Sequence, residues 1–322
     1  MRNILLLKCI ITAIALISCQ EFINRDITIT SPGLFENDDI VSLVYGNGLF
    51  VAGSLNGKRA CSADGKNWTV YNGLLWGGNP VLLAYGNDIF IASVSSRIFS
   101  SVDGINWTDN NFSIMTSTST ISRPVFGDGK FIISAGTVTV GTSQIIPLFY
   151  SNDGINWVSS SFNFSLRDGV FGNGKFVLTG QKAGNLAYSA DGAAWTAINF
   201  GSRLYYTLTF GNGIFIAGGQ DSVIIQSSDG INWTENTNPL FNSGTENDYP
   251  AVRTIVFGSG KFLAAGDSGK AAWSTDGTVW FELEVPVFGK DNIRAACYGN
   301  GKFVAGGQNG KVAFWNENEL CN

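Results

Sequence analysis

The sequence predicts an all-β protein, a seven-bladed β-propeller of four-stranded antiparallel blades, from two repeated motifs and the spacing of their copies. An aromatic residue followed by Gly, two turn-forming residues, a variable residue and Phe occurs seven times: YGNGLF at 45–50, YGNDIF at 85–90, FGDGKF at 126–131, FGNGKF at 171–176, FGNGIF at 210–215, FGSGKF at 257–262 and YGNGKF at 298–303. Successive copies start 40, 41, 45, 39, 47 and 41 residues apart, the length of four short strands in one blade. We therefore expect one domain over 26–322.

The first motif predicts a tight hairpin between the first two strands of each blade. Its central pair is Asn-Gly in four copies and Asn-Asp, Asp-Gly and Ser-Gly in the others. Such pairs tolerate the positive φ angles of a two-residue type I′ turn. Naming the strands a to d from the inside of the ring outward, we expect the first blade to have strands at 40–45, 49–54, 58–63 and 67–71.

The second motif, Ser-x-Asp-Gly-x-x-Trp, predicts the turn between strands c and d. It occurs six times: SADGKNW at 62–68, SVDGINW at 101–107, SNDGINW at 151–157, SADGAAW at 189–195, SSDGINW at 227–233 and STDGTVW at 274–280. The aspartate can accept hydrogen bonds from its own turn, and the tryptophan can pack between neighbouring sheets. We interpret the following residues as structural: Asp64, Asp103, Asp153, Asp191, Asp229, Asp276, Trp68, Trp107, Trp157, Trp195, Trp233 and Trp280.

Together the motifs resemble those of the Asp-box, or BNR-repeat, β-propellers, a group that includes sialidases, sortilin-type receptors and photosystem II assembly factors. The resemblance covers about residues 40–316, although the box here is one residue shorter between Asp and Gly than is usual in that group. It implies the propeller fold and a structural role for the box residues. It carries almost no information about an activity.

The seventh unit lacks a fourth strand of its own. Strands are expected at 294–298, 302–307 and 311–315, but the box position holds Trp315-Asn316-Glu317-Asn318, and Cys321 stands where the box tryptophan would be. The segment 26–30 alternates as a strand should and precedes the first blade. We expect it to complete the last blade, which would close the ring and cover an exposed strand edge.

The N-terminal residues predict export. Arg2 and Lys8 precede a short apolar run, so residues 1–18 are expected to be a signal peptide. The four residues ending at Cys19 resemble a bacterial lipobox, which implies a lipid on Cys19, a tether over 19–25 and anchoring to a membrane of the cell envelope. An ordinary signal peptide is the alternative. Which side of the envelope the protein faces stays open.

Composition excludes several classes of chemistry. The chain has no histidine, which removes histidine-based catalysis, and its five cysteines include no C-x-x-C pair, so we expect neither a metal nor another cofactor. Without residues 1–18 the chain has 18 basic and 25 acidic side chains, which disfavours nucleic acid as a partner. Cys297 replaces a valine of the repeat and is expected to be buried. A pair between Cys61 and Cys321 stays open.

Candidate binding residues lie in the face opposite the tight hairpins and boxes. The connections there are long and irregular, at 72–80, 110–122, 136–147, 199–205 and 236–250. An aromatic residue and five arginines precede or begin strand a on this face: Arg123, Arg167, Arg203, Tyr206, Arg253 and Arg294. They either gather at the mouth of the central channel, where guanidinium groups suit a carboxylate, phosphate or sulfated sugar, or form salt bridges between blades with nearby aspartates.

Two classes of function follow from this face. The first is a non-catalytic, monomeric scaffold that binds a protein or glycan there; a spacer with a partner elsewhere on its rim is a variant of it. The second is a sialidase-like glycoside hydrolase, which needs an arginine cluster, a Tyr-Glu pair such as Tyr249 and Glu246, and an acid such as Asp38 or Asp39. The Arg-Ile-Pro segment of sialidases is missing near the first blade, and they usually have six blades. We therefore expect a protein that is not an enzyme.

Overall fold

The protein forms a ring of seven antiparallel sheets arranged as propeller blades. The computed structural model describes residues 33–71, 77–112, 121–140, 143–236, 240–241 and 249–320. Strand a of each blade contacts strand a of both neighbouring blades, and strand a of blade 7 contacts that of blade 1. Strand a is therefore innermost, and the predicted fold class is confirmed.

The strands follow the repeat closely, blade by blade from 1 to 7. Strands a are Ile40–Gly46, Leu82–Gly86, Val125–Gly127, Leu166–Gly172, Tyr205–Gly211, Val252–Gly258 and Ile293–Gly299. Strands b are Leu49–Ser54, Ile89–Val94, Lys130–Ser134, Lys175–Gly180, Ile214–Gly219, Lys261–Gly266 and Lys302–Gly307. Strands c are Arg59–Ser62, Arg97–Ser101, Pro147–Ser151, Asn185–Ser189, Ile224–Ser227, Ala271–Ser274 and Val312–Asn316. Strands d of blades 1 to 6 are Thr69–Tyr71, Thr108–Asp109, Val158–Asn163, Thr196–Asn199, Thr234–Glu235 and Phe281–Leu283.

Two kinds of element interrupt the connections between strands b and c. Blade 3 carries a separate two-stranded ribbon there, formed by Val138–Val140 and Ser143–Ile145. Blades 5, 6 and 7 have single 3-10 turns instead, at Gln220–Ser222, Asp267–Gly269 and Gln308–Gly310. The connection at 136–147, which was expected to be irregular, thus contains two short paired strands among its described residues.

The a–b hairpins and the boxes lie on the same face, which we call the box face. Both central residues of every a–b hairpin have positive φ, as in Asn47 (46°) and Gly48 (75°). The Asn47 amide donates to the carbonyls of Asp88 in the next hairpin, at 3.3 Å, and of Val102 in the next box, at 3.0 Å. The same pair of bonds is made by Asn87, Asn173 and Asn212. The b–c and d–a connections therefore lie on the opposite face, the variable face.

Each box is a closed hydrogen-bonded turn. In blade 5 the Asp229 carboxylate accepts from the backbone N–H groups of Ile231 and Asn232, and Ser227 Oγ accepts from Gly230 N at 2.9 Å. The other five boxes have the same bonds from their own residues. Because the box aspartates are occupied by their own turns, they present no free set of ligands.

The hydrophobic core is divided into seven clusters, one between each pair of adjacent blades. The motif glycines allow this close packing. A Cβ on Gly46 would lie 2.2 Å from the ring of Tyr85 in the next blade, and a Cβ on Gly299 would lie 2.0 Å from the ring of Tyr45. The last contact joins blade 7 to blade 1, so the ring of strands a closes through the same packing that joins every other pair.

Blade 7 has three strands among the described residues. The expected fourth strand at 26–30 lies outside them, as do the predicted signal peptide, Cys19 and the tether. Leu34 N donates to Gly310 O at 2.7 Å, which brings the chain before blade 1 to the variable-face end of strand c of blade 7. The missing box is replaced by a turn in which Glu319 accepts from the backbone and side chain of Asn316.

Cys61 and Cys297 are buried, and neither forms a disulfide with another described residue. Burial raises the pKa of Cys61 to about 12, and its Sγ contacts Gly104 O at 3.3 Å. Cys321 lies outside the described residues. No helix in the described part of the chain is long and apolar enough to span a membrane.

Candidate functional site

A β-bulge at the start of strand a changes the direction of one side chain in five of the seven blades. The pairing with strand b skips one residue in each case, and the skipped residues are Val41, Arg167, Tyr206, Arg253 and Arg294. Bulges bend a strand and redirect a side chain, and they are common near binding sites. The arginine position four residues before the motif aromatic is therefore a bulge position at the variable end of strand a.

Three of the predicted arginines and the predicted tyrosine line one cavity of about 530 Å³ on the variable face. Its walls come from blades 2 to 6 and consist of Asn79, Pro80, Leu82, Ser95, Ile121, Ser122, Arg123, Ser134, Ala135, Gly136, Ser165, Leu166, Arg167, Gln181, Tyr206 and Arg253. As far as the structure describes these walls, they contain no aspartate or glutamate. The cavity is thus basic in a protein with a formal net charge of −5.

Tyr206 holds two of these arginines on its ring. The guanidinium carbons of Arg167 and Arg253 each lie 4.7 Å from the ring centroid. Cation–π contacts of this kind orient a guanidinium without neutralising it. Arg167 Nη2 also donates to Gln181 Oε1 at 2.8 Å, and burial, with Arg253 nearby, lowers the pKa of Arg167. The three side chains form a fixed positive wall.

Arg253 is the one cavity arginine with a carboxylate partner among the described residues. Its Nε and Nη2 donate to the two carboxylate oxygens of Asp267, both at 2.8 Å. Hydrogen bonding to Asp267 raises the pKa of Arg253. This bidentate salt bridge fixes Arg253 against Tyr206. Arg123 and Arg167 have no salt-bridge partner among the described residues.

Arg123 precedes strand a of blade 3 and lines the cavity together with Arg167 of the next blade. Its Nη2 donates to Val41 O of blade 1 at 2.9 Å. The positive charge of Arg123 acts on the nearby carboxylate of Asp168. Asp168 Oδ2 itself accepts a hydrogen bond from Leu208 N at 2.9 Å. Burial raises the pKa of Asp168, while Arg123 opposes this rise. Asp168 therefore joins blades 4 and 5 through a backbone bond, as Ser42 joins blades 1 and 2.

Two predicted site residues lie outside the cavity lining. Arg294 Nη2 pairs with Asp39 Oδ2 at 3.0 Å, a salt bridge between blades 7 and 1 of the kind considered in the second interpretation of the arginines. Arg203 pairs within blade 5, with Glu235 at 2.8 Å and Asp221 at 3.4 Å. The structure therefore brings together Arg123, Arg167, Tyr206 and Arg253 and places Arg203 and Arg294 in salt bridges.

A second, more polar groove of about 430 Å³ adjoins the cavity and shares Tyr206 and Arg253 with it. It includes Tyr249 and the b–c turn residues Asp221 and Asp267.

Sequence reasoning missed Gln181 and Asp267, whose turns carry no motif. Their location in b–c turns, on the same face as the bulges, is the signal that could have suggested them. Among the described residues, no group of three or more potential ligands could hold a metal ion.

The ring and the channel-mouth cavity define a seven-bladed β-propeller with a basic candidate binding site. No family model matches the chain, and no curated protein matches it. Among solved structures, it is similar to YCF48 bound to a D1 peptide, with a TM-score of 0.69, 14% identity and coverage of 92% of this chain and 97% of that one. A streptogramin B lyase gives a TM-score of 0.68 at 10% identity, covering 90% and 97%. The virginiamycin B lyase of Staphylococcus aureus gives 0.67 at 11%, covering 90% and 98%. Identities this low show the fold alone.

Proposed function

We propose that this protein is a non-catalytic binding scaffold that holds an acidic group of a partner protein in the cavity lined by Arg123, Arg167 and Arg253. The observation that carries the proposal is that the described residues of the cavity lining include three arginines and no aspartate or glutamate. Guanidinium groups bind carboxylates through paired, charge-assisted hydrogen bonds. The pre-ordered Arg167 and Arg253 need little further ordering when a ligand arrives.

The fold comparison supports a peptide ligand in particular. One structurally similar propeller, YCF48, was solved with a D1 peptide bound. The cavity volume of about 530 Å³ also exceeds what a free carboxylate or sulfate would fill, and its lining includes the aliphatic residues Leu82, Ile121 and Leu166. A side chain or chain end of a larger partner suits both the charge and the size.

We also infer that the scaffold is exported and anchored through a lipid on Cys19. The short apolar run before Cys19 and the lipobox-like residues support this location. Replacing Cys19 with Ala should release the protein from the membrane fraction of the cells that make it. Continued membrane association of Cys19→Ala would contradict the anchor.

Glycoside hydrolysis is the alternative function. Of the residues expected for it, Asp39 is paired with Arg294, Asp38 accepts from Asn56 at 2.9 Å, and Glu246 lies outside the described residues. An assay with a fluorogenic sialoside tests it. Turnover that disappears in Arg167→Met would replace the binding proposal with a catalytic one.

Binding is tested by fluorescence anisotropy of full-length protein in detergent with fluorescein-labelled hexaglutamate. The double variant Arg123→Met/Arg167→Met should weaken binding by about tenfold or more, since a hydrogen bond to a charged group contributes roughly 1.5–3 kcal/mol. Lys182→Met is the matched control, because it removes an exposed positive charge beside Gln181 without altering the cavity lining. Equal binding by the double variant and the wild type would refute the proposal.

A further inference from the structure

The ribbon of blade 3 has two strand edges that pair with nothing else in the described part of the chain. Val138 lies opposite Ile145, Thr139 opposite Gln144 and Val140 opposite Ser143, and these six residues form a sheet of their own. A strand edge offers a row of backbone N–H and C=O groups to any extended chain. Natural proteins usually protect such edges with charged residues or proline, and neither occurs in these two strands.

The ribbon begins at the rim of the basic cavity. Ser134, Ala135 and Gly136 line the cavity and lead directly into Val138. The returning strand ends before Pro147, whose carbonyl accepts from Ala135 N at 3.0 Å. A chain paired with the ribbon would therefore have one end next to the cavity that Arg123 and Arg167 line.

We propose that the ribbon binds an extended acidic peptide as an added β-strand while the cavity arginines bind one of its carboxylates. The proposal rests on the function proposed above and makes it more specific. Main-chain pairing gives affinity for any extended chain, and side chains that alternate along the strand give specificity. Successive side chains on one face of a strand are about 7 Å apart, so one acidic side chain can enter the cavity while its neighbours remain outside. The charge of the cavity selects the acidic peptide as the occupant.

The outward-facing backbone groups of the ribbon can be identified from its pairing. Two residues separate Val140 from Ser143, and the pair beside a two-residue loop exchanges its hydrogen bonds internally. The next pair, Thr139 and Gln144, then has its N–H and C=O groups directed outward, one residue on each edge. Proline at either position removes one outward donor and leaves the internal bonds of the ribbon in place.

The test uses full-length protein in detergent and a fluorescein-labelled hexapeptide, Glu-Val-Glu-Val-Glu-Val, in anisotropy titrations. One of the two variants Thr139→Pro and Gln144→Pro should weaken binding by about tenfold, because the proposed peptide pairs with one edge of the ribbon. The variant at the other edge then serves as the control. Unchanged melting temperatures show that the variants are folded. Only alternate residues of the peptide direct their N–H groups toward the ribbon. Of two peptides N-methylated on all valines or on all glutamates, one should therefore lose binding to the wild type and the other should keep it.

The outcomes separate this proposal from the one on which it rests. If both proline variants and both methylated peptides bind like their parents while Arg123→Met/Arg167→Met weakens binding, the acidic site stands and strand pairing is refuted. If the arginine variant binds the peptide as well as the wild type does, both proposals fail. Tighter binding of a sulfated glycan than of the peptide, unaffected by either proline, would also overturn the strand-pairing proposal.

Discussion

At the scale of single residues, the site depends on a tyrosine that orders two like charges. Arg167 and Arg253 would repel each other in the absence of an intervening group, and the Tyr206 ring lies 4.7 Å from both guanidinium carbons. Asp267 fixes one of the two arginines through a bidentate salt bridge, whereas the other is fixed by an amide, Gln181. The charge of Arg167 thus remains available in a defined orientation.

Tyr206→Leu should therefore weaken binding of an acidic peptide by about fivefold or more without unfolding the protein. Each cation–π contact contributes roughly 0.5–1 kcal/mol, and both are lost together. Tyr206→Phe keeps the ring and should bind more tightly than Tyr206→Leu. Titration of the three proteins with labelled hexaglutamate measures this order. Equal affinity of the Leu and Phe variants would show that the ring does not position the arginines.

The box tryptophan, unlike Tyr206, has a structural role. Trp233 is 7% exposed and packs in the cluster between blades 4 and 5 with Phe215. Trp233→Ala should lower the free energy of unfolding by roughly 3–5 kcal/mol, and Trp233→Phe should lower it less. Urea unfolding measures both. A folded Trp233→Ala protein of normal stability that fails to bind hexaglutamate would contradict a structural role.

At the scale of elements, the box turn links stability to pH. Backbone N–H groups of Asn232 and Ile231, with the Asn232 amide, hold the pKa of Asp229 well below its usual range. The pKa of the other five box aspartates is lowered as well. A carboxyl whose pKa is lower in the folded state than in the unfolded state stabilises the fold above the unfolded pKa of about 4, and this contribution is lost as pH falls.

The free energy of unfolding should therefore fall steeply as pH drops below about 4. Replacing Asp229 with Asn removes one titrating group from the series, so the slope of stability against pH in this range should be smaller in Asp229→Asn than in the wild type. Urea unfolding at a series of pH values between neutral and strongly acidic measures both slopes. A stability that is constant over this range would mean that the box turns do not depend on their ionised carboxylates.

At the scale of the whole molecule, one steric contact repeats around the ring and closes it. The motif glycine of each blade faces the motif aromatic of the next, and Gly299 faces Tyr45 as Gly46 faces Tyr85. A side chain at any of these glycines would push two innermost strands apart. The closed ring in turn fixes the distances across the channel on which the cavity depends, such as the bond from Arg123 of blade 3 to Val41 of blade 1.

Gly299→Ala should lower the free energy of unfolding by roughly 1–3 kcal/mol, as expected for overpacking. Tyr45→Ala makes room for the new methyl group, so Gly299→Ala should cost much less in that background. A double-mutant cycle by thermal unfolding measures the coupling. Additive effects of the two substitutions would show that the ring does not close through this contact.

Much of this fold could be predicted because its signals are local. Asn47-Gly48 specifies a turn wherever it occurs between strands, and Ser227-x-Asp229-Gly230 closes a turn with its own side chains. The site was predicted in part, since the bulge position of Arg167, Tyr206 and Arg253 has a fixed offset from the motif. The partners of Arg167 and Arg253 could not be predicted, because they lie in b–c turns with no common sequence. Asp267 reaches Arg253 in one blade, while Gln181 reaches Arg167 in another.

The most direct test of the central claim is a crystal structure of the protein with a bound acidic hexapeptide. We expect a carboxylate of the peptide within hydrogen-bonding distance of the guanidinium groups of Arg123 and Arg167, in the cavity on the variable face. A peptide bound on the box face, or bound on the variable face with its carboxylates directed away from these arginines, would contradict the claim.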